Sequence, residues 1–143
     1  MSRAYANERQ GTDAERDVAR EYDLEHRPDE SDWYDCVNPR TGTKFEVKST
    51  VKAYEGEYSD GGPGRYRLWE DQHVSLVWAD ASGTAWYVFV LYDRDGGEPL
   101  RMRRMRPSTV TTVVEEIGDG EWNLSGHQRR ERQQKVAWIA VFD

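Results

Sequence analysis

The spacing of apolar residues along the chain predicts alternating helices and strands. Apolar side chains recur at helical spacing over residues 12–25, which predicts a first helix after a polar, frayed N-terminus. The segment 85–92 is apolar almost throughout, which is typical of a central strand covered on both faces. A second helix is predicted between these two segments from the apolar positions Tyr66, Trp69, His73, Leu76 and Val77.

A β-hairpin is predicted between the two helices. An apolar segment over residues 33–37 leads into the turn cluster Asn-Pro-Arg-Thr-Gly-Thr, and a strand returns over residues 44–50. Successive side chains of a strand point to opposite faces, so Glu46 and Lys48 are expected on one face and their apolar neighbours on the other. The hairpin therefore places a carboxylate beside an ammonium.

The C-terminal third has a less regular pattern. Residues 109–114 fit either a strand or a short helix, and residues 135–142 predict a closing strand. No internal repeat is present. The order α-β-β-α-β indicates an α/β fold with a central mixed sheet flanked by helices, built as a single domain over residues 1–143.

Composition limits the class of protein. Hydrophobic residues make up 36% of the 143 residues, charged residues 33%, and the net charge is −7. There is no apolar run of membrane-spanning length and no signal-peptide pattern, so we expect a soluble cytoplasmic protein without a membrane partner. Cys36 is the only cysteine, which excludes an internal disulfide, and it is expected to be a small packed residue.

The basic residues are mostly arginine. Four lysines (Lys44, Lys48, Lys52 and Lys135) leave sixteen arginines among the 20 basic residues. With the excess of acidic residues, this composition is typical of halophilic proteins, which stay soluble at high salt through an acidic surface. The alternative is an ordinary acidic protein from a GC-rich genome. At molar salt an acidic charge argues less strongly against a nucleic-acid partner, because counterion release then contributes little.

The hairpin carries the candidate chemistry. Asp35 lies on the strand that adjoins Glu46 and Lys48, and two carboxylates can hold a divalent metal ion through hard oxygen ligands. The lysine would position a water molecule or offset charge on a phosphate. This set suits metal-assisted hydrolysis of a phosphodiester. The alternative is a solvated strand face with a cross-strand ion pair.

Two further polar residues are expected near the hairpin. Glu15 shares a helix face with apolar residues three, four and seven positions later, so it is expected to face the core and to need a partner there. The alternative for Glu15 is a capping box that begins at Thr12. Gln72 flanks the apolar stripe of the second helix and would orient a water or a ligand; the alternative is a surface amide.

These residues also resemble a known family. The order of Gly11 to Glu15, Asp35, the run Glu46-Val47-Lys48-Ser49-Thr50 and the run 68–73 resembles the PD-(D/E)xK nuclease superfamily, and within it archaeal Holliday junction resolvase-like members. The resemblance covers about residues 11–92, and Tyr34 stands where the motif name has proline. It implies a restriction-endonuclease-like core. It also implies metal ligands at Glu15, Asp35 and Glu46, a catalytic Lys48 and an accessory Gln72.

The resemblance gives the expected function. It implies a Mg²⁺- or Mn²⁺-dependent endonuclease that hydrolyses DNA phosphodiester bonds, with no small-molecule cofactor. A symmetric cut needs two sites, so a homodimer is expected. Two alternatives stay open: a non-catalytic DNA-binding or assembly module on the same fold, and a restriction-type or RNA-processing nuclease.

Arginine clusters are the candidate DNA contacts. Arginine forks suit phosphate oxygens, and clusters occur at 101–106 and 129–132. The alternative is a solvated face or interface salt bridges. His73 is expected to be a satisfied core residue, and Trp69, Trp78, Trp86 and Trp138 are expected in the core. The residues expected to contact DNA are Arg103, Arg104, Arg129 and Arg130.

Overall fold

The fold contains four helices and eight strands in the described part of the chain. A computed structural model describes residues 3–53, 62–94, 97–118, 122–124 and 132–142. The elements are α1 Arg3–Tyr22, β1 Glu25–His26, β2 Cys36–Val37, β3 Lys44–Val51, β4 Arg65–Trp69, α2 Glu70–Asp80, β5 Ala85–Tyr92, β6 Pro99–Met105, α3 Pro107–Gly118, β7 Asn123–Leu124, β8 Arg132–Ala137 and α4 Trp138–Phe142.

The main sheet is mixed, as predicted. Its strand order is β1-β2-β3-β5-β6, and only the β3–β5 pair is parallel. That pair is in register from Lys44 opposite Ala85 to Val51 opposite Tyr92. The connection between the two strands includes α2, which returns the chain to the end of the sheet where β3 began, as a parallel connection requires. The expected α/β fold with a restriction-endonuclease-like core is therefore confirmed.

Strand β5 is buried on both faces, which confirms its predicted central position. Val88 and Val90 pack into one apolar cluster with Ala14 and Val18 of α1. The alternate residues Tyr87, Phe89 and Leu91 pack into a second cluster with residues of α2, α3 and β8. An almost continuous apolar run is needed because neither face of the strand meets water.

A second sheet was not predicted. It has three strands in the order β4-β8-β7. Tyr66 and Trp69, which the sequence pattern assigned to the second helix, lie in β4. Tyr66 is buried there with Leu68 and with Val136 of β8. The prediction for Tyr66 was wrong because Arg-Tyr-Arg-Leu-Trp alternates with the period of a strand. The helix itself begins at Glu70.

Other element boundaries also differ from the predictions. Helix α1 begins at Arg3, so Thr12 lies inside a helix and the capping-box alternative for Glu15 was wrong. Residues 109–114 belong to helix α3, and the predicted closing strand ends at Ala137, where α4 begins. The arginine-rich segment 99–105 is a strand, β6, that pairs with β5.

Two expectations about buried residues have different outcomes. Cys36 is fully buried, and burial raises the pKa of its thiol to about 12, which fits a packed residue. Trp78, expected in the core, is 78% exposed on α2. Trp69, Trp86 and Trp138 are half-buried.

In the described residues, no helix is both long enough and apolar enough to cross a membrane.

Gly64 joins the two sheets by close backbone contact. A Cβ at this position would lie 1.7 Å from the carbonyl oxygen of Val51 and 2.6 Å from Oγ1 of Thr50. The Gly64 N–H donates to the carbonyl of Lys52, and its own carbonyl accepts from the N–H of Trp138. Only glycine lets β4 begin this close to the end of β3.

We expect Gly64→Ala to lower the free energy of unfolding by roughly 1–3 kcal/mol, because the added methyl group must push the β3 backbone away. Gly11→Ala is the matched control: it lies in α1 with no heavy atom within 4 Å of the added Cβ. That change should instead stabilise the protein by about 0.5–1 kcal/mol through helix propensity. Urea unfolding followed by circular dichroism measures both, and equal effects would contradict the proposed contact.

Candidate active site

The hairpin fixes Asp35 against the strand that carries Glu46 and Lys48. Strand β2 pairs antiparallel with β3, with Cys36 opposite Phe45. The Asp35 N–H donates to the carbonyl of Phe45 over 2.9 Å, and its carboxylate Oδ2 accepts from the Val47 N–H, also over 2.9 Å. Main-chain and side-chain bonds together therefore hold this carboxylate at the edge of β3.

Glu46 and Lys48 lie on the same face of β3, as predicted. Glu46 Oε2 is 3.1 Å from Lys48 Nζ, and Glu46 is only 3% exposed. Burial raises the pKa of the Glu46 carboxyl well above its usual range; Lys48 opposes this rise, and the neighbouring Asp35 adds to it. The alternative of a solvated strand face was therefore wrong, because both partners of the pair are largely removed from water.

Gln72 contacts the site, as predicted. It lies in the first turn of α2. Lys48 Nζ donates to Gln72 Oε1 over 2.9 Å, and Gln72 Nε2 donates to the carbonyl of Asp32 over 2.6 Å. The amide thus links the lysine to the loop before the hairpin and fixes the position of the ammonium.

Glu15 approaches the same site from α1, and its observed partner is a histidine. Glu15 Oε1 is 2.8 Å from Nε2 of His26 on β1. Burial raises the pKa of the Glu15 carboxyl, with a further contribution from the negative charge of Asp35. Sequence analysis did not single out His26, because a strand of only two residues leaves no periodic pattern.

The carboxylates of this site suit a divalent cation. In the part of the chain that the structure describes, no three His, Cys, Asp or Glu side chains are grouped so as to hold a metal ion on their own. Mg²⁺ is usually bound by only one or two carboxylates together with substrate phosphates and water. Asp35 and Glu46 supply such a pair, and the negative charge of Asp35 adds to the rise that burial causes in the pKa of Glu46. A ligand role for Glu15 stays a prediction.

Comparison with known proteins identifies the family. Residues 1–143 match the model of the PD-(D/E)XK nuclease superfamily domain. The chain belongs to the PD-(D/E)XK nuclease superfamily. No curated protein and no solved structure gives a significant match. The match covers the whole of this PD-(D/E)XK domain, so it extends beyond the segment 11–92 on which the sequence resemblance depended. It makes the chain a nuclease-type hydrolase at the superfamily level.

The two arginines of β6 that were expected to contact DNA point to opposite faces of the PD-(D/E)XK sheet. Arg103 Nη1 donates to the carbonyl of Val141 over 2.6 Å. The guanidinium of Arg104 lies 4.3 Å from the ring centroid of Trp86. Arg129 and Arg130 lie outside the described residues. DNA contact by these arginines stays a prediction, and for Arg103 the observed partner is the protein backbone.

A buried polar network lies beside the site. Tyr87 pairs with Glu46 in the β3–β5 register, so the two side chains share a face of the sheet. The Tyr87 hydroxyl is 2.8 Å from Nδ1 of His73, and Nε2 of His73 is 2.7 Å from Oγ1 of Thr111. His73 is therefore a satisfied core residue, as predicted, and burial lowers its pKa to about 4.

The low pKa of His73 gives a pH dependence of stability. A histidine whose pKa falls from 6.5 to about 4 on folding stabilises the protein above pH 6.5, and this contribution is lost as the pH falls to about 4. The loss should be at most about 3 kcal/mol. We expect His73→Gln to remove this acid-side dependence. Denaturant unfolding of both proteins across this window checks it, and parallel curves would contradict the assignment.

Proposed function

We propose that this chain is a metal-dependent endonuclease that hydrolyses DNA phosphodiester bonds with Mg²⁺ or Mn²⁺. The observation that carries the proposal is the position of Lys48, held between the buried Glu46 carboxylate and Gln72. Asp35 lies beside this pair at the strand edge. Carboxylates for a cation and a fixed ammonium for a phosphate are the two requirements of this reaction.

In this proposal each residue of the site has its own role. Asp35 and Glu46 would hold the cation, with Glu15 as a further candidate ligand on the α1 side. When bound, a divalent cation polarises a phosphoryl oxygen and makes a water molecule more acidic. Asp35 is oriented for this role by the Val47 N–H, which donates to one oxygen of its carboxylate.

Lys48 would act on the substrate. Its ammonium directs N–H groups at Glu46 and at Gln72, and a remaining donor can meet a phosphate oxygen or the attacking water. Because both contacts are formed before substrate binds, the charge needs no reorganisation when negative charge develops on the phosphate. Fixed charges of this kind stabilise a transition state more than mobile ones do.

The burial of Glu46 argues against a non-catalytic DNA-binding module. A carboxylate buried beside a second carboxylate is unfavourable for folding and repels phosphate. A binding module would gain nothing from it, whereas a cation site needs it. The resemblance to archaeal Holliday junction resolvases favours branched DNA as the substrate, and duplex DNA or RNA are the alternatives that a substrate panel separates.

We expect the unaltered protein to cleave DNA in a panel of branched, duplex and single-stranded DNA and RNA substrates, with Mg²⁺ or Mn²⁺ and not with EDTA. Lys48→Met should lower the single-turnover rate at saturating enzyme by roughly 10²-fold or more, because it removes a charge that stabilises the transition state. Lys52→Met is the matched control on an exposed lysine nearby and should keep the rate of the unaltered protein.

The carboxylates are tested by the same cleavage assay and by calorimetric titration with Mn²⁺. Asp35→Asn and Glu46→Gln should weaken metal binding and abolish cleavage, whereas Lys48→Met should keep metal binding. Glu15→Gln should weaken metal binding only if Glu15 is a ligand. Full cleavage by Asp35→Asn or Glu46→Gln would contradict the proposed metal site.

We also propose that the nuclease works as a homodimer, because two-strand cleavage needs two sites. Exposed apolar residues of α2 support this: Val74 is 50% exposed and Trp78 is 78% exposed. Their spacing of four residues places them on one helix face.

We expect the unaltered protein to be a dimer and Trp78→Glu to be a monomer in analytical ultracentrifugation. Val113→Glu is not a suitable control variant, because Val113 packs against the core. A monomeric unaltered protein would contradict the proposal.

A further inference from the structure

The second sheet has one face packed on the core and one face directed outward. In the β4–β8 register, Arg67 lies opposite Lys135 and Trp69 lies opposite Gln133. The intervening residues Tyr66, Leu68 and Val136 are buried in the core. Strand alternation therefore places a separate set of residues on the other face. This set, called the outer face below, comprises Arg65, Arg67, Trp69, Gln133 and Lys135.

The outer face belongs to two strands that are basic within an acidic chain. Strands β4 and β8 together contain four basic residues (Arg65, Arg67, Arg132 and Lys135) and no acidic residue. The whole chain, in contrast, has 27 acidic and 20 basic residues. A local concentration of positive charge on a negatively charged protein indicates an anionic partner at this face.

A cleft on this sheet has the lining of a phosphate-binding site. Its volume is about 270 Å³, and its lining combines cations with amides: Arg65, Gln133 and Lys135 of the outer face, together with Gln134. That volume is slightly below the roughly 300–1,000 Å³ usual for small-molecule sites. Guanidinium and ammonium groups are the usual donors to phosphate oxygens.

Gln133 adds a second polar requirement. Its Oε1 is buried and has no hydrogen-bond partner within the described residues. Such an acceptor is unfavourable until a donor reaches it. Phosphate oxygens cannot supply that donor, whereas the amino groups of nucleobases can. The cleft therefore combines groups suited to a phosphate with one suited to a base.

Trp69 offers a stacking surface at the end of the outer face. The guanidinium of Arg67 lies 5.8 Å from the centroid of its ring, within the range of a cation–π contact. An aromatic ring beside basic residues is typical of surfaces that bind single-stranded nucleic acid, because bases stack on the ring while cations follow the backbone.

Strand β4 connects this face rigidly to the candidate active site. At one end, Gly64 packs directly against the end of β3, the strand that carries Glu46 and Lys48. At the other end, Trp69 precedes the first turn of α2, where Gln72 accepts a hydrogen bond from Lys48. Both ends of the strand are thus tied to the catalytic hairpin, and a polymer on the outer face would continue toward it.

We propose that the outer face binds one strand of the nucleic-acid substrate next to the scissile phosphodiester, with Arg67 and Lys135 on phosphates and Trp69 stacked on a base. This inference rests on the proposed nuclease function, and it adds the surface by which the substrate is held. It is separate from the arginines of β6, one of which is bound to the protein backbone.

The test is a binding titration with the full chain in EDTA, which prevents cleavage. Fluorescence anisotropy of a short labelled single-stranded DNA is measured at several salt concentrations, and an RNA of the same sequence is titrated in parallel. Arg67→Gln and Lys135→Gln should each weaken DNA binding several-fold and lower the slope of log K against log salt by about one. Trp69→Leu should weaken binding and leave the slope unchanged.

The matched control is Arg20→Gln, which removes the same charge from a 79% exposed side chain on α1. It should bind as the unaltered protein does. The proposal is overturned if Arg67→Gln and Lys135→Gln bind DNA like this control, if only the RNA titration is affected, or if the unaltered protein binds no DNA.

A second measurement covers variants that fail to fold, which thermal unfolding by circular dichroism detects. Hydrogen exchange of the unaltered protein should slow in β4 and β8 when the DNA is added, and unchanged exchange there overturns the proposal. The proposed nuclease function can fail independently of the binding surface. If DNA binding depends on Arg67 but no substrate is cleaved in Mg²⁺ or Mn²⁺, the result contradicts the proposed reaction and supports the binding surface.

Discussion

The buried contact between Glu46 and Lys48 is the constraint on which the rest of the site depends. The charged form of a carboxyl group that is 3% exposed needs a partner of opposite charge, and the ammonium 3.1 Å away supplies one. The lysine in turn is held by Gln72, and Gln72 by the carbonyl of Asp32. Each polar group near Glu46 therefore has its position set by the need to compensate a buried charge.

The compensation of this buried charge is incomplete. Burial and the nearby Asp35 raise the pKa of Glu46 well above its usual range despite the lysine. Glu15, on the α1 side, has a raised pKa for the same two reasons. Carboxyl groups with perturbed pKa values cluster at functional sites, which agrees with the proposed cation site.

The scaffold around the site is rigid for reasons of packing. The parallel β3–β5 pair is covered by α1 on one face and by α2, α3 and the second sheet on the other. Because Gly64 has no side chain, the two sheets can approach closely at this position. The superfamily fold thus holds the hairpin that carries Glu46 and Lys48 from both sides, and the second sheet presents a basic face beside it.

Much of the core could be predicted from the sequence because it depends on local periodicity. The apolar run of β5 and the alternation around Glu46 and Lys48 each indicated a strand, and the structure places both as expected. The contact of Gln72 with Lys48 agreed with the resemblance to the PD-(D/E)xK pattern. An error occurred for Tyr66 in β4, where a mixed pattern fitted two structures. For residues 109–114 the pattern left a strand or a short helix open, and the structure shows a helix.

The sequence by itself determined the order of the core elements, the family and the face of β3 that carries Glu46 and Lys48. Only the tertiary structure decided that His26 is the partner of Glu15, that Trp78 is exposed, and that β4 and β8 form a second sheet with a basic outer face. The physical reason is the range of the interactions. Strand alternation and helical spacing act between residues a few positions apart, whereas these contacts join segments distant in the chain and exist only once the core has packed.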